Sequence, residues 1–111
     1  MADYRTLASP TDFEALLAAS RAGRVAILKH STSCPLSSLA KNRLDRALAE
    51  GQLDLPVYYL DLLRHRGVSN LVAAELGVRH ESPQLIVVDK GAAVYASSHL
   101  AIDPAAVPAT V

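Results

Sequence analysis

The sequence predicts one α/β domain over residues 1–111, built on a mixed four-stranded sheet flanked by helices. Three observations carry this. Helical and strand patterns alternate from Ser9 to Gly77. The apolar runs "RVAILK" and "PVYYLDL" are separated by a helical pattern, so a right-handed crossover makes those two strands parallel. Only "KG" separates "QLIVVD" from "AAVYA", which makes that pair an antiparallel hairpin.

Each element has its own signals. In "SPTDFEALLAAS", Thr11 and Glu14 fit a reciprocal capping box, Phe13, Leu16 and Leu17 share a face, and Gly23 stops the helix. Residues 24–29 are short, apolar and branched, as in a buried strand. Pro35 suits the first position of the next helix, where Leu36, Ala40, Leu44, Ala47 and Leu48 recur at helical spacing and Gly51 lies past the end. After the strand in "PVYYLDL", "VSNLVAAELG" predicts a short helix capped by Ser69 and terminated by Gly77. The tail "IDPAAVPATV" allows a helical stub capped by Asp103 and broken by Pro108. Assembled in order, a parallel βαβ unit followed by an antiparallel hairpin is most economically a thioredoxin-like fold. A doubly wound parallel sheet is disfavoured because "KG" is too short for a crossover.

Eleven basic and eleven acidic residues cancel, so no global field favours nucleic acid or an anionic membrane. The N-terminal "MADYRTLASP" lacks the pattern of a signal peptide, and no apolar run is long enough to span a bilayer. A single cysteine cannot close an intramolecular disulfide, and a free thiol suits a reducing compartment. A cytoplasmic protein is the expectation.

That cysteine, Cys34, lies in "HSTSCPLSS", at the turn from a strand to a helix. A lone cysteine is ordinarily a small buried hydrophobe, but a helix N-terminus favours the thiolate through free backbone N–H groups and the macrodipole. A depressed thiol pKa also makes a good leaving group, which suits reversible thiol–disulfide exchange. Ser37 stands where a two-cysteine redox motif would carry its second sulfur. It reads either as a first-turn serine satisfying the backbone or as a hydrogen-bond donor to the thiolate. In neither role can it resolve a mixed disulfide.

Strand directions gather four loops at one sheet edge: the Cys34 turn, "RHR" at residues 64–66, "HESP" at 80–83 and "SSH" at 97–99. His30, His65, His80 and His99 all fall there. The candidate catalytic residues are Cys34 and Ser37. The candidate substrate-binding residues are Ser33 and Pro35 beside the cysteine, Arg64 and Arg66 for carboxylates, and His80, Ser82 and Pro83 as a platform. No ligand spacing supports a metal site, and no nucleophile elbow supports a serine hydrolase.

The segments "KHSTSCPLSS", "RGVSN", "HESPQLIVV" and "SSH", taken together, resemble the monothiol bacilliredoxin (YtxJ-like) family of thioredoxin-fold proteins, from about Ala26 to His99. The resemblance implies that Cys34 takes bacillithiol from S-bacillithiolated proteins as a mixed disulfide and that free bacillithiol, the thiol co-substrate, regenerates it. It further implies that Pro83 is the cis proline of the fold, with Ser82 beside it. Bacillithiol carries a malate moiety, which Arg64 or Arg66 would bind. No metal, nucleic acid or membrane partner is expected. The tail after Asp103 is shorter than a full closing helix of the fold, and the expected assembly is a monomer or a weak homodimer.

Two other classes fit a lone redox cysteine. One is an iron–sulfur cluster carrier, which Pro35 disfavours by stiffening the residue after Cys34. The other is a non-enzymatic thiol redox sensor, in which Cys34 is modified without turnover.

Overall fold

The structure, a computed structural model, describes residues 4–31, 33 and 35–108. Its elements in chain order are β1 (Arg5–Thr6), α1 (Pro10–Ala19), β2 (Val25–His30), α2 (Pro35–Ala49), β3 (Val57–Asp61), α3 (Arg66–Leu76), β4 (Gln84–Asp89) and β5 (Ala92–Ser98), followed by 3-10 turns at His99–Ala101 and Pro104–Ala106. The sheet has the order β1-β3-β2-β4-β5. β1 and β2 both run parallel to β3, while β4 is antiparallel to β2 and to β5.

The expected four strands are thus corrected to five. β1 pairs through Arg5↔Tyr58 and Thr6↔Tyr59 only, and two residues carry no alternation that a sequence could display. The crossover and the hairpin are as anticipated. Lys90 and Gly91 take φ values of 52° and 78°, the left-handed pair that a two-residue hairpin turn requires.

Both faces of the sheet are covered, which explains why the central strands read as continuous apolar runs. Val25, Ile27, Leu60, Ile86 and Val88 pack with Phe13 and Leu16 of α1 and with Val68 and Val72 of α3. On the opposite face, Ala26, Leu28, Val57, Leu85 and Val87 pack with Ala40, Leu44 and Ala47 of α2 and with Ile102 of the tail. Burial of each such Leu or Ile side chain contributes about 1.5–3 kcal/mol.

Several local expectations shift by a few residues. The N-cap of α1 is Ser9, whose hydroxyl accepts from the Asp12 N–H, while the Asp12 carboxylate accepts from the Ala8 N–H. The capping residues are therefore Ser9 and Asp12 rather than Thr11 and Glu14, with Asp12 reaching back to the residue before the cap, and Pro10 takes the first helical position, where its missing N–H costs nothing. α1 ends at Ala19 with Ser20 as its cap, ahead of Gly23. On α2 the inward stripe is Ser37, Ala40, Leu44 and Ala47, which leaves Leu36 exposed. α3 begins at Arg66 with His65 as its cap, so Ser69 is a buried residue of the helix and not its cap. Gly77 closes α3 in the left-handed region at φ 65°. The tail stub forms as a 3-10 turn, with Asp103 accepting from the Ala105 N–H.

Candidate functional site

Strand register defines the edge. His30, the last residue of β2, pairs with Asp61, the last of β3, while Gln84, the first of β4, pairs with Lys29 and with Ser98 at the end of β5. The ends of β2, β3 and β5 and the start of β4 therefore converge, and the loops that leave them carry the predicted site. His99 is tied to this group, since its N–H donates to the Pro83 carbonyl at 3.0 Å. A cavity of about 540 Å³ elsewhere, between Arg43 and Arg46 of α2 and Asp103–Ala105, is lined by none of the predicted site residues.

Cys34, the predicted nucleophile, lies outside the described residues. Its neighbours are described. Pro35 is exposed and opens α2, a helix of 15 residues. Ser33 is exposed, and its hydroxyl lies 3.0 Å from that of Ser31. Ser37 is fully buried, and its Oγ accepts from the Ser31 N–H at 3.2 Å. That bond occupies the oxygen as an acceptor and leaves the hydroxyl hydrogen without an acceptor among the described residues.

The Ser82–Pro83 peptide bond is cis, as the resemblance implies, and Pro83 is buried immediately before β4. Arg64 and Arg66 are exposed, and neither guanidinium has a hydrogen bond or ion pair among the described residues. The backbone N–H of Arg64 donates to the Asp61 carboxylate at 3.3 Å. His80 lies at the rim with its Nδ1 turned inward, 3.2 Å from both Lys29 Nζ and Ser69 Oγ.

Four buried side-chain atoms have no hydrogen-bond partner among the described residues: His30 Nε2, Ser82 Oγ, Gln84 Oε1 and Ser97 Oγ. All four belong to this edge, at the end of β2, the start of β4 and the end of β5. Buried polar groups are nearly always paired, so this edge is where the described side chains leave polar atoms unsatisfied.

Two residues of the site are absent from the predicted set. Lys29 is fully buried, and burial pushes its amine down to about 8 from 10.5. His30, 5% exposed, faces Tyr59, whose hydroxyl lies 2.9 Å from Nδ1. Burial first, and then the charge of Lys41, holds the His30 imidazole below its usual range. The signal available in the sequence was a lysine and a histidine closing an apolar run. Neither residue type announces burial, and only the covered sheet decides it. Among the described residues no group of three or more His, Asp or Glu is placed to hold a metal ion, and no helix is long and apolar enough to cross a membrane.

A family model described as monothiol bacilliredoxin BrxC matches residues 5–107. A solved structure described as a candidate oxidoreductase with a thioredoxin fold is 32% identical, superposes with a TM-score of 0.79, and is matched over 90% of this chain and 86% of its own. The thioredoxin of Fasciola hepatica (19% identical, TM-score 0.67, covering 86% of each chain) is similar in fold. So is oxidised thioredoxin O2 of Arabidopsis thaliana (17%, 0.70, covering 91% of this chain and 86% of that one).

Proposed function

Because the chain belongs to the monothiol bacilliredoxin BrxC family and has a thioredoxin fold, we propose that it is a cytoplasmic thiol–disulfide oxidoreductase that removes bacillithiol from S-bacillithiolated proteins. The observation that carries this reading is the family match over residues 5–107, a span that includes Cys34, Ser37 and Ser82–Pro83.

In the first step the Cys34 thiolate attacks the bacillithiol sulfur of the mixed disulfide. A new S–S bond forms on Cys34, the old one breaks, and the protein thiolate leaves and takes a proton from water. In the second step the thiolate of free bacillithiol attacks the bacillithiol sulfur on Cys34. Bacillithiol disulfide departs, and Cys34 returns as its thiolate. One thiol is oxidised for each protein thiol released, so the electrons come from bacillithiol. Ser37 cannot replace the outside thiol, having no sulfur to oxidise.

The residues around Cys34 suit these steps. The N-terminus of α2 stabilises a thiolate through its free N–H groups. The unassigned hydroxyl hydrogen of Ser37 is available as a donor to it. Ser33 and Pro35 flank Cys34 in the sequence, and Ser82 and Pro83 form the platform against which the disulfide lies. Arg64 and Arg66 supply guanidinium groups, unpaired among the described residues, for the malate carboxylates of bacillithiol. The protein acts as a monomer or weak homodimer and needs no metal.

Incubating the protein with an S-bacillithiolated client, without free thiol, should move the bacillithiol mass onto Cys34, and added bacillithiol should release it. Cys34→Ser should abolish both. An unmodified Cys34 with an unchanged client sinks the proposal. An adduct that excess thiol cannot release points instead to a sensor.

A further inference from the structure

Among the described residues Lys29 is the only lysine or arginine that is fully buried. It sits one residue before the end of β2, and its partner across the sheet is Gln84, which follows Pro83. Its Nζ donates to the Ser69 carbonyl at 3.3 Å and lies 3.2 Å from His80 Nδ1. No carboxylate among the described residues lies within ion-pair distance. A buried ammonium without a counter-ion lowers stability. Here that destabilisation falls on the residue joining β2, the first turn of α3 and the loop of residues 80–83.

The bonding pattern has a chemical consequence. An ammonium has donors and no acceptor, so contact with Lys29 requires a lone pair on His80 Nδ1. The Ser69 hydroxyl, 3.2 Å away, can donate to the same atom. The ammonium selects the tautomer with the proton on Nε2, and the Ser69 hydroxyl fits that tautomer as a second donor. That nitrogen has no partner among the described residues, and His80 is exposed two residues before Ser82.

We propose that Lys29 is a positioning residue for substrate recognition: with Ser69 it holds His80 as the neutral Nε2–H imidazole, whose outward donor takes a carboxylate oxygen of the small thiol. The assignment rests on reading this edge as a thiol-exchange site. The surrounding charges act in the same sense. Burial, then Lys29, then Arg66 hold the His80 imidazole below its usual range, and only Glu81 opposes them. These influences favour the neutral imidazole, and the contact of Nδ1 with the Lys29 ammonium places its proton on Nε2.

The test compares one peptide carrying either bacillithiol or 2-mercaptoethanol in a mixed disulfide. In Lys29→Met, the KM for the bacillithiol peptide should rise about three- to tenfold relative to that for the uncharged one, the worth of one hydrogen bond. His80→Gln, whose amide can replace the Nε2 donor, should keep most of the wild-type ratio. Adding Lys29→Met to His80→Gln should change the ratio no further. Nitrogen-15 NMR of wild-type His80 should show the Nε2–H tautomer, and Lys29→Met should populate Nδ1–H and raise the imidazole pKa. An unchanged ratio, an equal effect of Lys29→Met in the His80→Gln background, or an Nδ1–H tautomer in the wild type overturns the proposal. A wild type inert toward both peptides overturns the thiol-exchange reading and with it the carboxylate role. The NMR signature separates that failure from failure of the Lys29–His80 contact.

Discussion

Ser31 and Ser37, three residues to either side of Cys34 in the sequence, are joined: the Ser31 N–H donates to Ser37 Oγ at 3.2 Å, and both residues are buried. The bond fixes the first turn of α2 to the end of β2 and settles which way the Ser37 oxygen faces.

Ser37→Ala should therefore act on both fold and site. It orphans a buried N–H, at a cost of about 1–3 kcal/mol, and it removes the donor proposed for the thiolate. Urea denaturation should register the first effect. Ultraviolet titration of Cys34 should register the second as a higher thiol pKa. A stability loss with an unmoved thiol pKa would reduce Ser37 to a structural residue.

The histidines give the fold an acid-sensitive limb. His30 and His80 both have folded pKa values held below 6.5. Below 6.5 the unfolded chain binds protons that the folded chain refuses, so stability present above 6.5 is lost as pH falls toward the folded values. Urea midpoints should drop between pH 7 and about 5, and His30→Gln should flatten that slope. Parallel slopes in the two proteins would contradict this account.

Lys29 works in the opposite pH range. Its folded value of about 8 against 10.5 corresponds to about 3 kcal/mol lost at neutral pH. Stability should rise as pH climbs from about 8 to 10.5, because there the unfolded chain alone holds the proton. Lys29→Met, similar in length and apolar, should be more stable than wild type by about 1–3 kcal/mol at pH 7 and should lose the alkaline rise. A destabilised Lys29→Met would mean that the contacts to Ser69 and His80 outweigh desolvation.

The β4–β5 turn offers a test remote from the site. Lys90 adopts φ 52° beside Gly91, and the Lys90 and Gly91 N–H groups donate to Ser20 O and Ser20 Oγ, each at 2.9 Å. Lys90→Asn suits the left-handed conformation and should stabilise by about 0.5 kcal/mol, while Gly91→Ala should cost about 1 kcal/mol. Thermal melts of the two variants should move in opposite directions.

The sequence by itself determined the chain of helices and strands, the parallel crossover and the hairpin. Those follow from local periodicity, the length of each connection and turn chemistry at "KG". It also determined that the ends of β2, β3 and β5 and the start of β4 meet at one edge, because strand direction alone decides which ends are neighbours. The tertiary structure decided what depends on pairing and burial. β1 exists because β3 offers it a partner, not because two residues have a pattern. Ser69 reads as a cap from its neighbours, yet it is a buried helical residue facing His80. Lys29 looks like the polar end of an apolar strand and is instead fully enclosed, because helices cover both faces of the sheet there. Enclosure is a property of what packs against a residue from distant segments, and a single strand does not encode it.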